Sequence, residues 1–246
     1  MKKISIIIAT YNAGKVLQRC LDSIRPQKMN EIELLIIDGN SKDNTMDVVN
    51  NNKDIIDYCI SEPDKGIYDA WNKGIRAANG DWIQFLGADD QLTCGSLLFY
   101  LDYLVREKGL ENIDVIFGRC WLINEKGEKI RKKGDSYEWN KFRKYMSVSH
   151  GSALHSKRLF QEVGLFDLNF KICGDYELLL RKKLNTKFVE REILMMQIGG
   201  MSNSTKGLID TYRVRKFKKS IPSWKNLYFL LKGCCGLYYK RFFVYK

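Results

Sequence analysis

Apolar and polar positions change period several times along this chain, and the changes locate its elements. Runs at Ile4–Ala9, Ile32–Asp38 and Trp82–Leu86 are almost continuously apolar, with a weaker run at Ile56–Ile60. Short unbroken runs rich in isoleucine and leucine read as strands covered on both faces, as in a parallel sheet. Between them apolar residues recur at helical spacing. That spacing predicts helices over Lys15–Ile24 (Val16, Leu17, Cys20, Leu21 and Ile24 on one face), Asn44–Asn51 and Tyr68–Ala78. Strands alternating with such helices imply βαβ units with right-handed crossovers.

The second half has a different rhythm. It predicts a helix over Leu97–Val105 and a short strand over Val115–Phe117. A hairpin then pairs Cys120–Asn124 with Glu128–Lys132 across Glu125-Lys126-Gly127. After a polar-aromatic loop come a strand near Ser152–His155, a helix from Ser156 and a last helix over Tyr176–Leu184. No internal repeat or low-complexity linker interrupts the 246 residues. The expected organisation is one α/β domain over 1–205 and a C-terminal extension over 206–246.

Charge supports that division. Residues 206–246 hold eleven lysines and arginines against one acid, Asp210, so +10 of the net +12 lies there. The seven cysteines are scattered without metal-ligand spacing and fit a reduced cytosolic protein; with only two histidines, a zinc site is not expected. The apolar run after Met1-Lys2-Lys3 is too short for a signal peptide, and no stretch approaches the ~20 apolar residues of a membrane span.

The clearest chemistry is at Gly87-Ala88-Asp89-Asp90, where an apolar strand ends in two adjacent carboxylates. Ligands of open α/β sheets bind beyond the carboxyl ends of the strands. Two carboxylates about 4 Å apart repel by ~4 kcal/mol at a protein-surface dielectric. A divalent cation would remove that repulsion; an acidic helix entry is the plain alternative.

Further motifs stand at strand ends in a fixed order. They are Ser5-Ile6-Ile7-Ile8-Ala9-Thr10-Tyr11-Asn12, Ile36-Ile37-Asp38-Gly39-Asn40-Ser41-Lys42-Asp43-Asn44-Thr45, and Glu62-Pro63-Asp64-Lys65-Gly66-Ile67-Tyr68-Asp69-Ala70-Trp71-Asn72-Lys73-Gly74. Gly174-Asp175-Tyr176-Glu177 and Gly199-Gly200-Met201-Ser202 follow Asp89-Asp90. Together these resemble the inverting glycosyltransferases of family 2 (GT2), over roughly residues 3–205. Within that family, the phrase from Asp64 to Gly74 resembles bacterial transferases that build O-antigen, capsule or exopolysaccharide.

The resemblance implies the GT-A fold, a Rossmann-like and mostly parallel sheet flanked by helices, here with a helical basic-aromatic extension. It implies a nucleotide-sugar donor, a UDP-sugar favoured, contacted by Thr10, Asn12, Asp38, Asp64, Lys65 and Asp89. Asp89 and Asp90 would hold Mg²⁺ or Mn²⁺, although Gly87 stands where many members have another acid, as does Gly39. Asp175 would be the catalytic base, with His150 and Glu177 touching the acceptor and Asn72 a weaker site candidate. Gly199-Gly200-Met201-Ser202 would be a loop that orders over the donor.

Each residue also has a plainer reading. Asn12 and Asp175 could be helix caps, and Asp43 reads better as a cap than as a ligand. Asp38 could serve only to hydrogen-bond the first-strand loop, since a buried carboxylate needs partners. Lys65 could be a solvated loop lysine, and His150 or His155 a buried structural histidine.

The extension interleaves ten aromatics with its cations, among them Trp224, Tyr228, Phe229, Tyr238, Tyr239, Phe242 and Phe243. Leu227–Tyr239 is too short and too charged to span a bilayer, so attachment to an anionic membrane surface is expected. Helices packed on the domain with a basic solvated face are the alternative. The implied setting is peripheral, on the cytoplasmic face of a bacterial cell membrane, with a polyprenyl-diphosphate-linked glycan acceptor and no nucleic acid partner. A nucleotidyltransferase would instead need a glycine-rich basic loop after the first strand, and Ala9–Gly14 is a poor one. A nucleic-acid-binding protein could use the basic aromatic tail, but no reading motif accompanies it.

Overall fold

The computed structural model describes residues 3–200 and 204–243, the last six as backbone. Its frame is a sheet of parallel strands β1 (Ile4–Thr10), β2 (Ile32–Asp38), β3 (Tyr58–Ser61) and β4 (Trp82–Gly87), in the spatial order β3-β2-β1-β4. The sheet alternates its side chains between two cores. Ile4, Ile6 and Ile8 face one, with Leu17, Cys20, Leu21 and Ile24 of α1 (Leu17–Ile24). Ile7 faces the other, with Trp71 and Ile75 of α3 (Ile67–Ala77). Burial on both faces is why these strands are apolar throughout rather than alternating.

From β1 the chain builds outward through α2 (Thr45–Asn50) to β3, then returns past β1 to place β4 on its other side. The strand order therefore reverses between β1 and β4, where Ala9 pairs with Gly87. A crevice opens beyond the carboxyl ends of such strands because neighbouring connections run to opposite faces.

The remaining strands complete a mixed sheet. They are β5 (Gln91–Leu92), β6 (Val115–Ile123), β7 (Lys129–Lys133), β8 (Ala153–Ser156) and β9 (Thr186–Gln197), with the path running on from β4 as β8-β6-β9-β5 and β7 on β6. The predicted strand at Val115–Phe117 and the first hairpin arm are one strand, β6, continuous through Gly118 with an irregular register against β9. No periodicity marked β9, whose residues mix cations, acids and apolar side chains.

Helices α4 (Ser96–Arg106), α5 (Trp139–Phe142) and α6 (Lys157–Val163) lie as predicted or within loops, and Ser156 caps α6 by accepting from the Leu159 N–H at 3.2 Å. The last predicted helix is shorter than its pattern. α7 (Gly174–Leu179) stops because Arg181 reaches the Val163 and Leu165 carbonyls and Lys182 pairs with Asp114.

The boundary expected at residue 205 does not separate two units. α8 (Thr205–Phe217) buries Val214 among the α3–α7 core residues. Asp210 Oδ2 accepts the Ile172 and Cys173 N–H groups at 2.9 and 3.0 Å, and Arg215 donates to the Lys144 carbonyl at 2.7 Å. α9 (Ser223–Phe243) is anchored near its start by Asn226, which donates to the Tyr212 carbonyl. Among the described residues no helix is long and apolar enough to cross a membrane.

Candidate active site

Beyond β1, β2 and β3 lies a cavity of about 720 Å³, lined by Thr10, Tyr11, Gly39, Lys42, Asp64 and Ile67 among others. Gly39 makes room for it: a Cβ there would lie 2.5 Å from Asp64 Oδ2. Asp64 is fixed by accepting the Gly66 N–H at 2.8 Å, a turn that Gly66 supports with φ +112°. Tyr11 is 67 % exposed at the mouth, where its ring can cover a flat ligand.

Asp38 lies just behind this cavity and is almost wholly committed. Thr10 Oγ1 donates to it at 2.9 Å, the Ser41 N–H at 2.9 Å and Ser61 Oγ at 2.6 Å. Burial opposes its ionisation, but the bonds from Ser41, Ser61 and Thr10 outweigh burial and hold its pKa below the ordinary carboxylate value. Asp38 thus ties together the ends of three strands, which is its plainer reading. Asn12, at φ +49°, does not cap α1, whose N-cap is Val16. It receives the Lys42 N–H at 2.9 Å and braces the Asn40–Lys42 turn instead. Asp43 accepts the Thr45 and Gly14 N–H groups at 3.0 Å each, but it stands one residue before the N-cap of α2, which is Asn44 rather than the Asp43 expected. Lys65 is exposed; its N–H donates to Asp69 and its carbonyl accepts from Lys171.

At the other side of the switch point, Asp89 is exposed and Asp90 buried. Asp90 Oδ2 accepts the Gly87 N–H at 2.9 Å. Burial, then repulsion from Asp89, pushes the Asp90 pKa up to about 7 despite that bond. Among the described residues no group of three or more His, Cys, Asp or Glu converges. Two carboxylates with an unrelieved repulsion fit a hard divalent cation that takes its other oxygens from substrate phosphates and water.

Asp175 lies in the first turn of α7, partly buried, with no capping bond. Its Oδ1 accepts the Tyr176 N–H at 2.8 Å and lies 3.2 Å from the Tyr68 hydroxyl. Burial raises its pKa, and the Tyr176 and Tyr68 bonds and the Lys133 charge offset part of the rise. A carboxyl of this kind can take a proton from a hydroxyl near neutral pH.

The expected acceptor residues stand elsewhere. Glu177 is 1 % exposed, and its oxygens meet Arg181 at 2.6 Å and Lys218 at 2.7 Å; the pair of cations joins α7 to the end of α8 and leaves no face for a sugar. His150 stacks against both Trp71 and Phe85, rings that also touch each other, with its ring centroid 5.2 and 5.4 Å from theirs. Burial pushes its pKa down to about 3, so the ring is neutral at working pH, and its Nε2 has no hydrogen-bond partner. His155, read as structural, is buried beside it. Asn72 holds both backbone groups of Phe166 at 2.9 Å and takes no part in the cavity. Met201 and Ser202 of the loop motif lie outside the described residues.

Three contributors escaped the sequence reading. Tyr68 joins the Asp64 loop to Asp175. Lys133, at the end of β7, has its charge felt by both Asp175 and Cys120, and Asp90 is felt by the same Cys120. Asp210 had a signal: a lone acid in a strongly basic segment is a residue the fold needs.

Residues 5–164 match the family described as "Glycosyl transferase family 2". This chain belongs to that family. It is 30 % identical over 221 residues (89 % of this chain, 83 % of the relative) to a PGL/p-HBAD biosynthesis glycosyltransferase of Mycobacterium tuberculosis. It is also 30 % identical over 180 residues (66 % and 56 %) to a GalNAc(5)-diNAcBac-PP-undecaprenol beta-1,3-glucosyltransferase of Campylobacter jejuni. In structure it resembles S. aureus TarS 1-349 in complex with UDP-GlcNAc, with TM-score 0.69, 15 % identity and 98 % and 73 % of the two chains covered. A mannosyltransferase of Pyrobaculum calidifontis in complex with GDP-Man and Mn²⁺ gives TM-score 0.64 at 14 % identity, covering 97 % and 75 %. The fold is therefore GT-A, and the protein is a glycosyltransferase rather than a nucleotidyltransferase.

Proposed function

We propose that this glycosyltransferase moves a sugar from a UDP-sugar to a hydroxyl of a lipid-linked glycan, with inversion, during assembly of a bacterial surface polysaccharide. The observation that carries the reading is Asp175: a partly buried carboxyl of raised pKa, held by the Tyr176 N–H and the Tyr68 hydroxyl, and joined through Tyr68 to the loop of Asp64 that lines the cavity. Asp175 accepts the proton of the acceptor hydroxyl as that oxygen attacks the anomeric carbon. Attack by that oxygen is direct and opposite the leaving diphosphate, so the anomeric centre inverts.

Thr10, Asn12 and Asp38 shape the donor cavity, Tyr11 and Asp64 read the base, and Lys65 flanks the phosphate path. Asp89 reaches the ribose and, with Asp90, holds Mg²⁺ or Mn²⁺, which when bound neutralises charge on the leaving diphosphate. The UDP-GlcNAc complex of TarS supports the donor class, and the undecaprenol-linked substrate named for the Campylobacter relative supports the acceptor class. Glu177 orients α7 through Arg181 and Lys218. The basic C-terminal helices hold the enzyme to the inner face of the cell membrane, where such an acceptor resides.

Asp175→Asn tests the reading. The variant should bind UDP as the wild type does, measured by calorimetry, and lose about 10²- to 10⁴-fold in kcat, the contribution typical of a general base. Turnover near the wild-type rate would sink it.

A further inference from the structure

A second cavity, of about 600 Å³, opens between α5 and the start of α9, lined among others by Arg143, Lys144, Ser220, Trp224, Lys225 and Tyr228. None of these residues belongs to the donor cavity. Ser220 is 5 % exposed, yet its hydroxyl has no hydrogen-bond partner. Its own N–H is committed to the Arg215 carbonyl, so the hydroxyl is the group on offer. Leaving such a group unpaired is costly, and a ligand oxygen would satisfy it.

The cations of the wall are likewise unused. Nearby ion pairs employ Lys141, Arg213 and Lys218. Among the described residues Arg143, Lys144 and Lys225 meet no carboxylate; Arg143 and Lys225 lie over the Trp139 and Trp224 rings instead. Beside the cavity, Trp224, Leu227, Tyr228 and Leu231 are 68, 49, 54 and 57 % exposed. Their spacing places them on one face of α9. An apolar helical stripe ordinarily faces a core; this one faces outward beside unpaired cations.

We propose that this cavity is a headgroup site for an anionic phospholipid. The phosphate lies against Ser220 Oγ, Arg143 and Lys144, and the Trp224–Leu231 stripe enters the acyl boundary. A free phosphate would use the cations but would leave the stripe without a role. The proposal rests on the membrane attachment proposed above and makes it specific: one built site rather than a diffuse positive surface.

The test uses the full chain and dihexanoylphosphatidylglycerol below its micelle concentration. Wild type should bind it saturably, read as a shift in Tm. Arg143→Ser/Lys144→Ser should weaken binding roughly 30-fold, the effect expected of two charges near such a phosphate, and Ser220→Leu should block it. Lys206→Ser/Lys216→Ser, which removes equal charge from the exposed side of α8, should bind as wild type. Equal loss in both double variants would show diffuse attraction and overturn the proposal. So would inorganic phosphate or a short RNA binding as tightly as the lipid. If Ser220→Leu does not fold, the two double variants decide alone. Sedimentation with phosphatidylglycerol vesicles separates the two levels. Vesicle binding without short-chain lipid binding refutes the headgroup site alone; no vesicle binding refutes the attachment itself.

Discussion

The Tyr68 hydroxyl lies 2.7 Å from the Ile172 carbonyl and 3.2 Å from Asp175 Oδ1, so one side chain serves both the backbone before α7 and the carboxyl upon it. Tyr68 lies in the first turn of α3, separated by Ile67 alone from the Asp64–Gly66 turn of the proposed donor cavity. Lys171 reinforces the link by donating to the Lys65 carbonyl at 3.1 Å. Gly174 permits it, since a Cβ there would lie 2.9 Å from the Tyr68 ring. The loop that lines the proposed donor cavity and the loop that carries the proposed base are thus one mechanical unit.

Tyr68→Phe should lower Tm by a few degrees, because the Ile172 carbonyl loses its donor, and lower kcat by about tenfold, the usual worth of one hydrogen bond. The pH profile gives the sharper signature. The hydroxyl lowers the raised Asp175 pKa, so its loss lets that pKa climb further, and activity needs the ionised form. The acid limb of kcat/KM should therefore move to higher pH. An unmoved limb with unchanged rate would show that Tyr68 is only packing.

Asp90→Asn should abolish the response to Mg²⁺ or Mn²⁺ and change stability in a signed way. The folded pKa of Asp90, about 7, lies above the ~3.9 of an unfolded aspartate. Its contribution to stability is complete below the unfolded value and is lost as pH rises through 7. Metal-free wild type should therefore lose Tm between pH 4 and 7 more steeply than the variant does, in calorimetry without added metal. Parallel curves, or full wild-type activity in excess chelator, would count against a cation at this pair.

Gly39→Ala places a methyl where Asp64 Oδ2 now lies. The carboxylate end can swing away at little cost in stability, but it leaves the cavity. We expect KM for the donor to rise about fivefold, a loss of ~1 kcal/mol, with kcat and Tm near wild type. A fall in kcat at constant KM would move Asp64 out of donor binding.

A chain ended at Ser204 should fail to fold, because it lacks Asp210, Val214 and Arg215 together. One ended after Ser220 should fold, keep transfer to a short soluble acceptor and lose vesicle binding. Equal solubility and cooperative melting of both truncations would return the boundary to residue 205.

Much of this protein is local and so was readable in its sequence. Ile4–Ala9 and Ile32–Asp38 could only be strands buried on both faces, and Leu17, Cys20, Leu21 and Ile24 only one face of a helix. Those periods, with turn residues at each strand end, determined the βαβ order, and the order sets where the crevice lies. What remained depended on partners distant in the chain. β9 carries no period of its own, because its pairing with β6 and β5 rather than its composition makes it a strand. Glu177 stands beside Asp175 in sequence, but one turn of geometry sends it to Lys218, forty-one positions away. His150 was a polar residue of undecided role until Trp71 and Phe85 closed over it. α8 looked like tail because its charge resembles the tail's, and only the buried Asp210 carboxylate, paired with the Ile172 and Cys173 N–H groups, makes it part of the domain. Strand and helix periods are properties of neighbours along the chain. A side chain's commitment is decided by which distant dipoles and charges the fold brings within three ångströms.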